Sequence, residues 1–323
     1  MIGLLQQKQK EAGMKELENE KTSQPEEYLE NPALWTAPDV PKDIPQGDMP
    51  GDKTSVCKAQ IQNVNELFPK LLKSVGPLLQ RASGKAVLSV YGGSGTGKTG
   101  TASLLAWYFG RIGLKSYVIS GDNYPRRQPF FNDGERLHLF QEYGIRALIQ
   151  EGEYTPRRSE LLREWQKEGK DADSGLLEEH PWLAAYEEGG RRALKGYLGT
   201  EREIDFEEIS HILEAFQRGE RGIWLKRMGR EPGDLWYDMV DFSDTRILIL
   251  EWTHGNNERL KGVDIPIFIT GTPQETLAGR TARNRDENTD SPFTAMVLEL
   301  EQELLDSQVS RAEFILSREG GKQ

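Results

Sequence analysis

The segment Val90-Tyr91-Gly92-Gly93-Ser94-Gly95-Thr96-Gly97-Lys98-Thr99 follows an apolar run and fits G-x-x-x-x-G-K-[ST] without a gap. Its glycines let successive backbone N–H groups turn around an anion, and a following helix adds the positive end of its dipole at the same point. The spacing predicts a phosphate-binding loop formed by Gly92, Gly93, Ser94, Gly95, Thr96, Gly97, Lys98, Thr99 and Gly100. Lys98 would reach the β- and γ-phosphates of a nucleoside triphosphate, ATP in the first instance, and the Thr99 hydroxyl would sit on Mg²⁺. A glycine-rich turn matching by chance is the alternative. The flanks argue against it, because Ala86–Tyr91 (AVLSVY) reads as a buried strand and Thr99–Phe109 (TGTASLLAWYF) as a helix.

The same alternation recurs outward from this loop. Ser116–Ser120 (SYVIS), Arg246–Trp252 (RILILEW), Ile265–Thr270 (IPIFIT) and Glu313–Ser317 (EFILS) read as strands. Gly134–Gln150, Phe206–Phe216, Thr276–Arg285 and Ser291–Leu305 read as helices. Runs apolar on consecutive positions suit strands covered on both faces, so the pattern predicts an α/β P-loop NTPase fold with a doubly wound, mainly parallel sheet. Ile61–Leu79 carries apolar residues at helical spacing until Gly76-Pro77 interrupts it, and Gly222–Met228 reads as an edge strand.

Two regions depart from that order. Residues 1–55, rich in Gln, Glu, Lys and Pro, predict a flexible N-terminal arm ahead of a domain over 56–323; Tyr28, Leu34 and Trp35 could dock it on a partner subunit or on the domain surface. Residues 151–203 lack a sheet pattern and read as a large, mostly helical insertion.

With 323 residues, 36% hydrophobic and 29% charged, the chain has the composition of an ordinary globular protein. A net charge of −11 argues against a nucleic-acid partner, which requires a basic face. No apolar run approaches the roughly 20 residues needed to cross a bilayer. The lone cysteine, Cys57, excludes an intrachain disulfide, and MIGLLQQKQKEAGMK has too short an apolar core for a signal peptide; both predict a cytoplasmic protein. Oligomeric state stays open, a homo-oligomer included.

Beyond the loop, Asp122 lies just past the strand end Ser116–Ser120, where open α/β sheets place their chemistry, and is the candidate base for an acceptor hydroxyl. A plain turn aspartate is the rival reading. Glu251 ends the strand Arg246–Trp252 and would hold the metal or a water of its shell. Arg280, Arg283 and Arg285 fall within six residues, and 280 and 283 share a helix face. They predict a lid over 280–290 that closes on phosphates, with solvated helix charge as the alternative. Arg126 and Arg127 either orient an acceptor or pair with surface acids. Among many aromatic residues best explained by packing, Trp182, Trp236 and Tyr237, with Tyr124 beside the Asp122 turn, are candidate acceptor-site residues. The four histidines are too dispersed for a metal site.

Taken in order, these motifs resemble the phosphoribulokinase and uridine kinase family of P-loop kinases over residues 85–320. Ser120-Gly121-Asp122-Asn123-Tyr124 is similar to that family's strand-end S-x-D-x-[FY], whose aspartate acts as base. Ile204-Asp205-Phe206 and Leu235-Trp236-Tyr237-Asp238 resemble its FD-helix and YD segments. Ile249-Leu250-Glu251 resembles its Walker B, although Trp252 follows where the family usually has Gly. Arg280–Asp286, followed by Val297-Leu298-Glu299, resembles its R-x-x-R-x-R-D lid. Within that group the chain looks most like the sucrose-kinase modules attached to α-galactosidases, including at Trp252-Thr253-His254-Gly255 and Asp290-Ser291-Pro292-Phe293. Gly121-Asp122-Asn123 and Asn132–Arg136 give a weaker resemblance to adenylylsulfate kinases, against which the late Walker B strand tells. The resemblance implies a Mg²⁺- and ATP-dependent kinase acting on a hydroxyl of a small molecule, a sugar such as sucrose; an adenylylsulfate or nucleoside kinase is the alternative, and a non-catalytic ATP-binding switch is the rival of a different class.

Overall fold

The computed structural model describes residues 25–41, 43–50, 56–229, 233–277 and 291–318. A five-stranded, all-parallel sheet organises it: β1 (Ala86–Gly92), β2 (Ser116–Ser120), β5 (Ile247–Trp252), β6 (Ile265–Ile269) and β7 (Phe314–Leu316), in the order β2-β5-β1-β6-β7. Every residue of β1 and of β5 is buried, as the consecutive apolar runs require of strands covered on both faces.

Alternate residues divide the two faces. Leu88, Val90, Val118, Ile249 and Ile267 pack under α2 (Lys58–Leu79) and α3 (Lys98–Arg111), whereas Val87, Ile119, Leu248 and Leu250 pack under α7 (Phe206–Gln217). Each fully buried Leu, Val or Phe contributes about 1.5–3 kcal/mol to this sandwich. Helix α2 continues through Gly76 and Pro77, where the sequence predicts a break; Val75 and Leu79, buried on either side, outweigh the single lost hydrogen bond.

The strand β3 (Gly222–Met228) is not an edge of the main sheet, contrary to expectation. It pairs antiparallel with β4 (Leu235–Asp241) in a separate two-stranded sheet. β4 follows within a few residues, so local closure costs little entropy, and Ile223 and Leu225 still reach the core under α7.

The insertion is helical. α5 (Pro156–Glu168) and α6 (Leu183–Lys195) join α4 (Pro129–Gln150) and α8 (Pro292–Asp306) around a core of their own that includes Phe140, Leu162, Tyr186, Leu194 and Val297. α4 and α6 run antiparallel, with Gly144 against Tyr186 and Gly190 against Phe140.

Residues 25–50 differ from a flexible arm. After the short helix α1 (Pro25–Glu30), the Trp35 ring lies 4.5 Å from Phe68 and 5.0 Å from Tyr108, and Ile44 is buried in the main core. Too few apolar residues are present to form a core alone, but here they fill a surface that α2 and α3 have already built. Residues 1–24 and 51–55 lie outside the described residues.

Candidate active site

All five strands of the sheet point their carboxyl ends the same way, and the phosphate loop, Glu251 and the Asp122 turn lie at that end. Gly97, at φ 96°, precedes the first turn of α3, and its carbonyl accepts a hydrogen bond from Gln60 Nε2 at 2.9 Å. A Cβ at Gly97 would come within 2.5 Å of that amide nitrogen, so only glycine can give both the left-handed turn and the contact. Lys98 Nζ donates to the Gly93 carbonyl at 3.0 Å and Thr96 Oγ1 to the same oxygen at 2.9 Å, folding the loop around its own centre. Thr99, in the first turn, makes no side-chain hydrogen bond among the described residues.

Register brings the acid to the loop. Glu251 lies level with Val90 on one side and Ser120 on the other. With Ile249 it faces the α3 side of the sheet, buried, towards the helix whose first turn carries Lys98 and Thr99. No group of three or more His, Cys, Asp or Glu with metal-binding geometry occurs among the described residues. A Thr99 hydroxyl and one strand-end carboxylate fit Mg²⁺, which keeps waters and takes most of its other oxygens from phosphate.

β2 ends in a 3₁₀ turn, Gly121–Asn123, that exposes Asp122 while burying its neighbours. The Trp252 indole lies where a Gly121 side chain would be, so the residue that departs from the family pattern is matched by a glycine on the adjoining turn. Trp252 also packs against Phe206 and His254 on the α7 face. Asn123 fastens the turn to β3, its Oδ1 accepting from Met228 N at 3.0 Å. Tyr124 is fully buried, and burial raises its phenol well above the ordinary range. Its hydroxyl and that of Ser120 have no hydrogen-bond partner among the described residues.

A largely buried ion cluster that the sequence does not single out borders this cleft, with Glu203 enclosed and Arg136 and Glu301 partly exposed. Arg136 of α4 lies 2.6 Å from Glu203 and 3.2 Å from Glu301 of α8; Glu203 also accepts from Asn132 Nδ2 and from Gly199 N. Burial raises the Glu301 carboxyl, against the pull of Arg136 and Lys98, and the Asp122 charge adds to the rise. Burial opposes the Arg136 charge too, but Glu203, Glu301 and Asp133 hold its pKa above the usual value. His254, buried, is pushed down to about 4 by burial, against the pull of Glu203 and with Arg136 and Lys98 adding to the effect. The cluster thus sets the charge around Lys98 from the insertion side. Only the short run Asn132–Arg136 hinted at it, since Glu203 and Glu301 stand among many exposed glutamates.

The remaining candidates divide. Arg126 donates to Asp205 Oδ2 at 3.0 Å and to the Glu201 carbonyl; Arg127 donates to Tyr197 and the Arg202 carbonyl and lies 3.6 Å from Glu135. Both are thus held in pairing. Trp182 stacks on Trp165 at 5.9 Å inside the insertion. The antiparallel packing sets it near residue 148 of α4, roughly 24 Å along the helix from Asn132, at 1.5 Å per residue. It stands apart from the strand-end cleft. Trp236 and Tyr237 are neighbours on β4 and face opposite sides. Tyr237 donates to Glu208 Oε1 at 2.7 Å, whereas Trp236 lies on the Arg227 side and donates to Asp238. Tyr237 lines an open groove of about 480 Å³ with Asp205, Glu207, Glu208, His211, Ile212 and Trp224. That groove abuts the Asp122 turn, because Asp205 N donates to the Tyr124 carbonyl. Arg280, Arg283 and Arg285 lie outside the described residues, and no described helix is long and apolar enough to cross a membrane.

No protein-family model matches the chain. The chain is 38% identical over 257 residues to the bifunctional alpha-galactosidase/sucrose kinase AgaSK of Mediterraneibacter gnavus, a match that takes in 77% of this chain and 23% of that relative. It therefore spans under a quarter of the length of the curated relative it matches. Among solved structures, a candidate fructose transport system kinase from Silicibacter sp. TM1040 aligns with a TM-score of 0.45 at 15% identity, covering 76% of this chain and 97% of the other. A candidate uridine kinase from Bacillus stearothermophilus aligns at 0.40 and 14%, covering 76% and 99%. At those scores the two likenesses carry no weight for function. The chain is a P-loop α/β protein, similar over three quarters of its length to part of a bifunctional alpha-galactosidase/sucrose kinase.

Proposed function

We infer that the chain is an ATP- and Mg²⁺-dependent kinase whose acceptor is a hydroxyl of a sugar, sucrose first among the candidates. The observation that carries this reading is the strand register that sets the buried Glu251 level with Val90, at the end of the strand leading into the phosphate loop, and with Ser120, two residues before Asp122. The similarity to the bifunctional protein supports the choice of acceptor.

In the proposed reaction the acceptor oxygen attacks the γ-phosphorus, the bond from that phosphorus to the bridging oxygen breaks, and ADP leaves. The acceptor proton passes to the Asp122 carboxylate. Lys98 follows the β- and γ-phosphates, and Arg280, Arg283 and Arg285 would offset charge developing on the transferred group. When bound, Mg²⁺ would neutralise phosphate oxygens from the Thr99 and Glu251 side. The groove bounded by Asp205, Glu208, Trp224 and Tyr237 suits a sugar, with aromatic faces for its C–H surface and carboxylates for its hydroxyls.

The test is ADP release from ATP and Mg²⁺ with sucrose, fructose, uridine or adenylylsulfate as acceptor. Sucrose-dependent release is expected. Release driven by adenylylsulfate or uridine alone would overturn the sugar assignment, and tight ATP binding without turnover on any acceptor would overturn the kinase in favour of a switch.

A further inference from the structure

β2 is one of the two outer strands of the sheet, and the backbone N–H of its last residue, Ser120, is taken up by a side chain from far earlier in the chain. Asp48 Oδ1 accepts from Ser120 N at 2.7 Å. Its other oxygen, Oδ2, accepts from Arg227 Nη1 of β3 at 2.9 Å and from the Tyr117 hydroxyl at 3.2 Å. Arg227 in turn reaches Tyr117 with Nη2 and Asp238 of β4 with Nε. The side chains of Asp48 and Arg227 are each 7% exposed. Ile44 in the core and Gly47 against Val118 seat the segment that delivers this carboxylate. The next three residues after Ser120 are the turn that presents Asp122, with Trp252 beneath it and Met228 fastening Asn123 at its far side.

We propose that Asp48 is a positioning residue for phosphoryl transfer: residues 43–50 form a clasp whose carboxylate fixes the end of β2 and so the place of Asp122. The proposal rests on the reading of Asp122 as the base. Burial, opposed by Arg227, Ser120 N–H and Tyr117, pushes the Asp48 carboxyl up to about 6. The ionised form is thus less favoured in the fold than in water, and what the group supplies at neutral pH is geometry rather than stability. The groups around it are Tyr117 on β2, Tyr124 past the turn, Arg227 on β3 and, through Arg227, Asp238 on β4. Both phenols are raised, so neither ionises near neutrality.

Asp48→Asn tests the clasp with little change of shape. An amide offers one acceptor oxygen, so it satisfies Ser120 N–H or Arg227 but not both. With MgATP and sucrose, kcat of Asp48→Asn at pH 7.5 should fall between about 10- and 100-fold, the range that a small misplacement of a catalytic group produces, with KM for ATP little changed. The ratio of wild-type to Asp48→Asn kcat should shrink towards one as pH drops below 6, because a protonated Asp48 loses the same acceptor. Asp122→Ala is assayed beside it. An inactive Asp122→Ala with an unimpaired Asp48→Asn overturns the clasp and keeps the base; an active Asp122→Ala overturns the base instead. A ratio that stays constant down to pH 5 overturns the positioning role in favour of a purely structural one.

Discussion

On the phosphate-loop side of the strand ends, Gly93, Lys98 and Thr99 stand within seven positions of one another, and one loop sets their geometry. On the side facing the insertion, Arg136 meets Glu203 and Glu301, the latter 165 residues away. The first side is held by backbone turns and hydrogen bonds to carbonyls. The second is held by charges removed from water. A site built from local geometry tolerates changes around it, whereas one built from buried charge depends on each partner remaining in place. The proposed division of labour adds a third region, with nucleotide on the local side, the ion cluster setting the charge around Lys98, and the acceptor in the groove between α7 and the β3–β4 hairpin, which is likewise assembled from distant parts of the chain.

The sharpest way to break that contrast is Asp122→Ala. Loss of a general base lowers kcat by about 10²–10⁴-fold. Nucleotide affinity, measured by calorimetry with a non-hydrolysable analogue, should change little, because the loop keeps its own geometry. Lys98→Ala should weaken that affinity as well as turnover. Equal damage to nucleotide binding in both variants would show that the two sides are not separable.

The next largest effect belongs to the buried cluster. Glu203→Ala leaves Arg136 with the partly exposed Glu301 as its remaining close partner, so the loss should fall between the roughly 1 kcal/mol of an exposed pair and the roughly 3–5 kcal/mol of a fully buried one. Urea unfolding without nucleotide would measure it. A loss below about 1 kcal/mol, the worth of an exposed pair, would place the cluster's stability elsewhere.

The same contrast explains how much could be read in advance. The parallel strands and the loop were legible because a strand buried on both faces announces itself by consecutive apolar residues, and the loop by fixed glycine spacing. Glu251 was legible by position, at the end of such a strand. Glu203 and Arg136 were not, because a buried ion pair and an exposed one have the same letters and only the fold distinguishes them. Asp48 sits among Pro, Gln and Gly in a stretch that reads as an arm, and its role depends on a surface supplied by β2 and β3. The insertion showed its helical character but not which face of α6 would meet α4, so Trp182 was drawn towards a site that its own packing keeps at a distance.

Two buried titrations offer a smaller and opposite pair of effects. His254 falls from 6.5 to about 4 in the fold, so its native state binds fewer protons than the unfolded chain; it contributes stability above pH 6.5 that is lost as pH falls through 4. Asp48 rises from 3.8 to about 6, so its contribution is present below pH 3.8 and is lost as pH rises through 6. The two shifts correspond to at most about 3–3.5 kcal/mol each. In the wild type the two slopes oppose one another. Relative to it, His254→Gln should gain stability on acidification from pH 6.5 to 4, and Asp48→Asn should lose it, as followed by denaturant midpoints. Parallel curves for all three proteins would mean that neither group is shifted as its burial requires.

The smallest effect separates two adjacent aromatics. Tyr237 faces the groove with Trp224 and Glu208, while Trp236 turns to the Arg227 side of the hairpin. If the sugar stacks in that groove, Tyr237→Ala forfeits an aromatic contact worth about 0.5–1.5 kcal/mol. Acceptor KM should then rise by up to about tenfold, the factor that 1.4 kcal/mol represents, with KM for ATP unchanged. Trp236→Ala should leave acceptor KM near the wild-type value. The opposite ranking would move the acceptor to the clasp side of the hairpin, beside Asp48, and the assembled half of the cleft would then be the one that residues 43–50 complete.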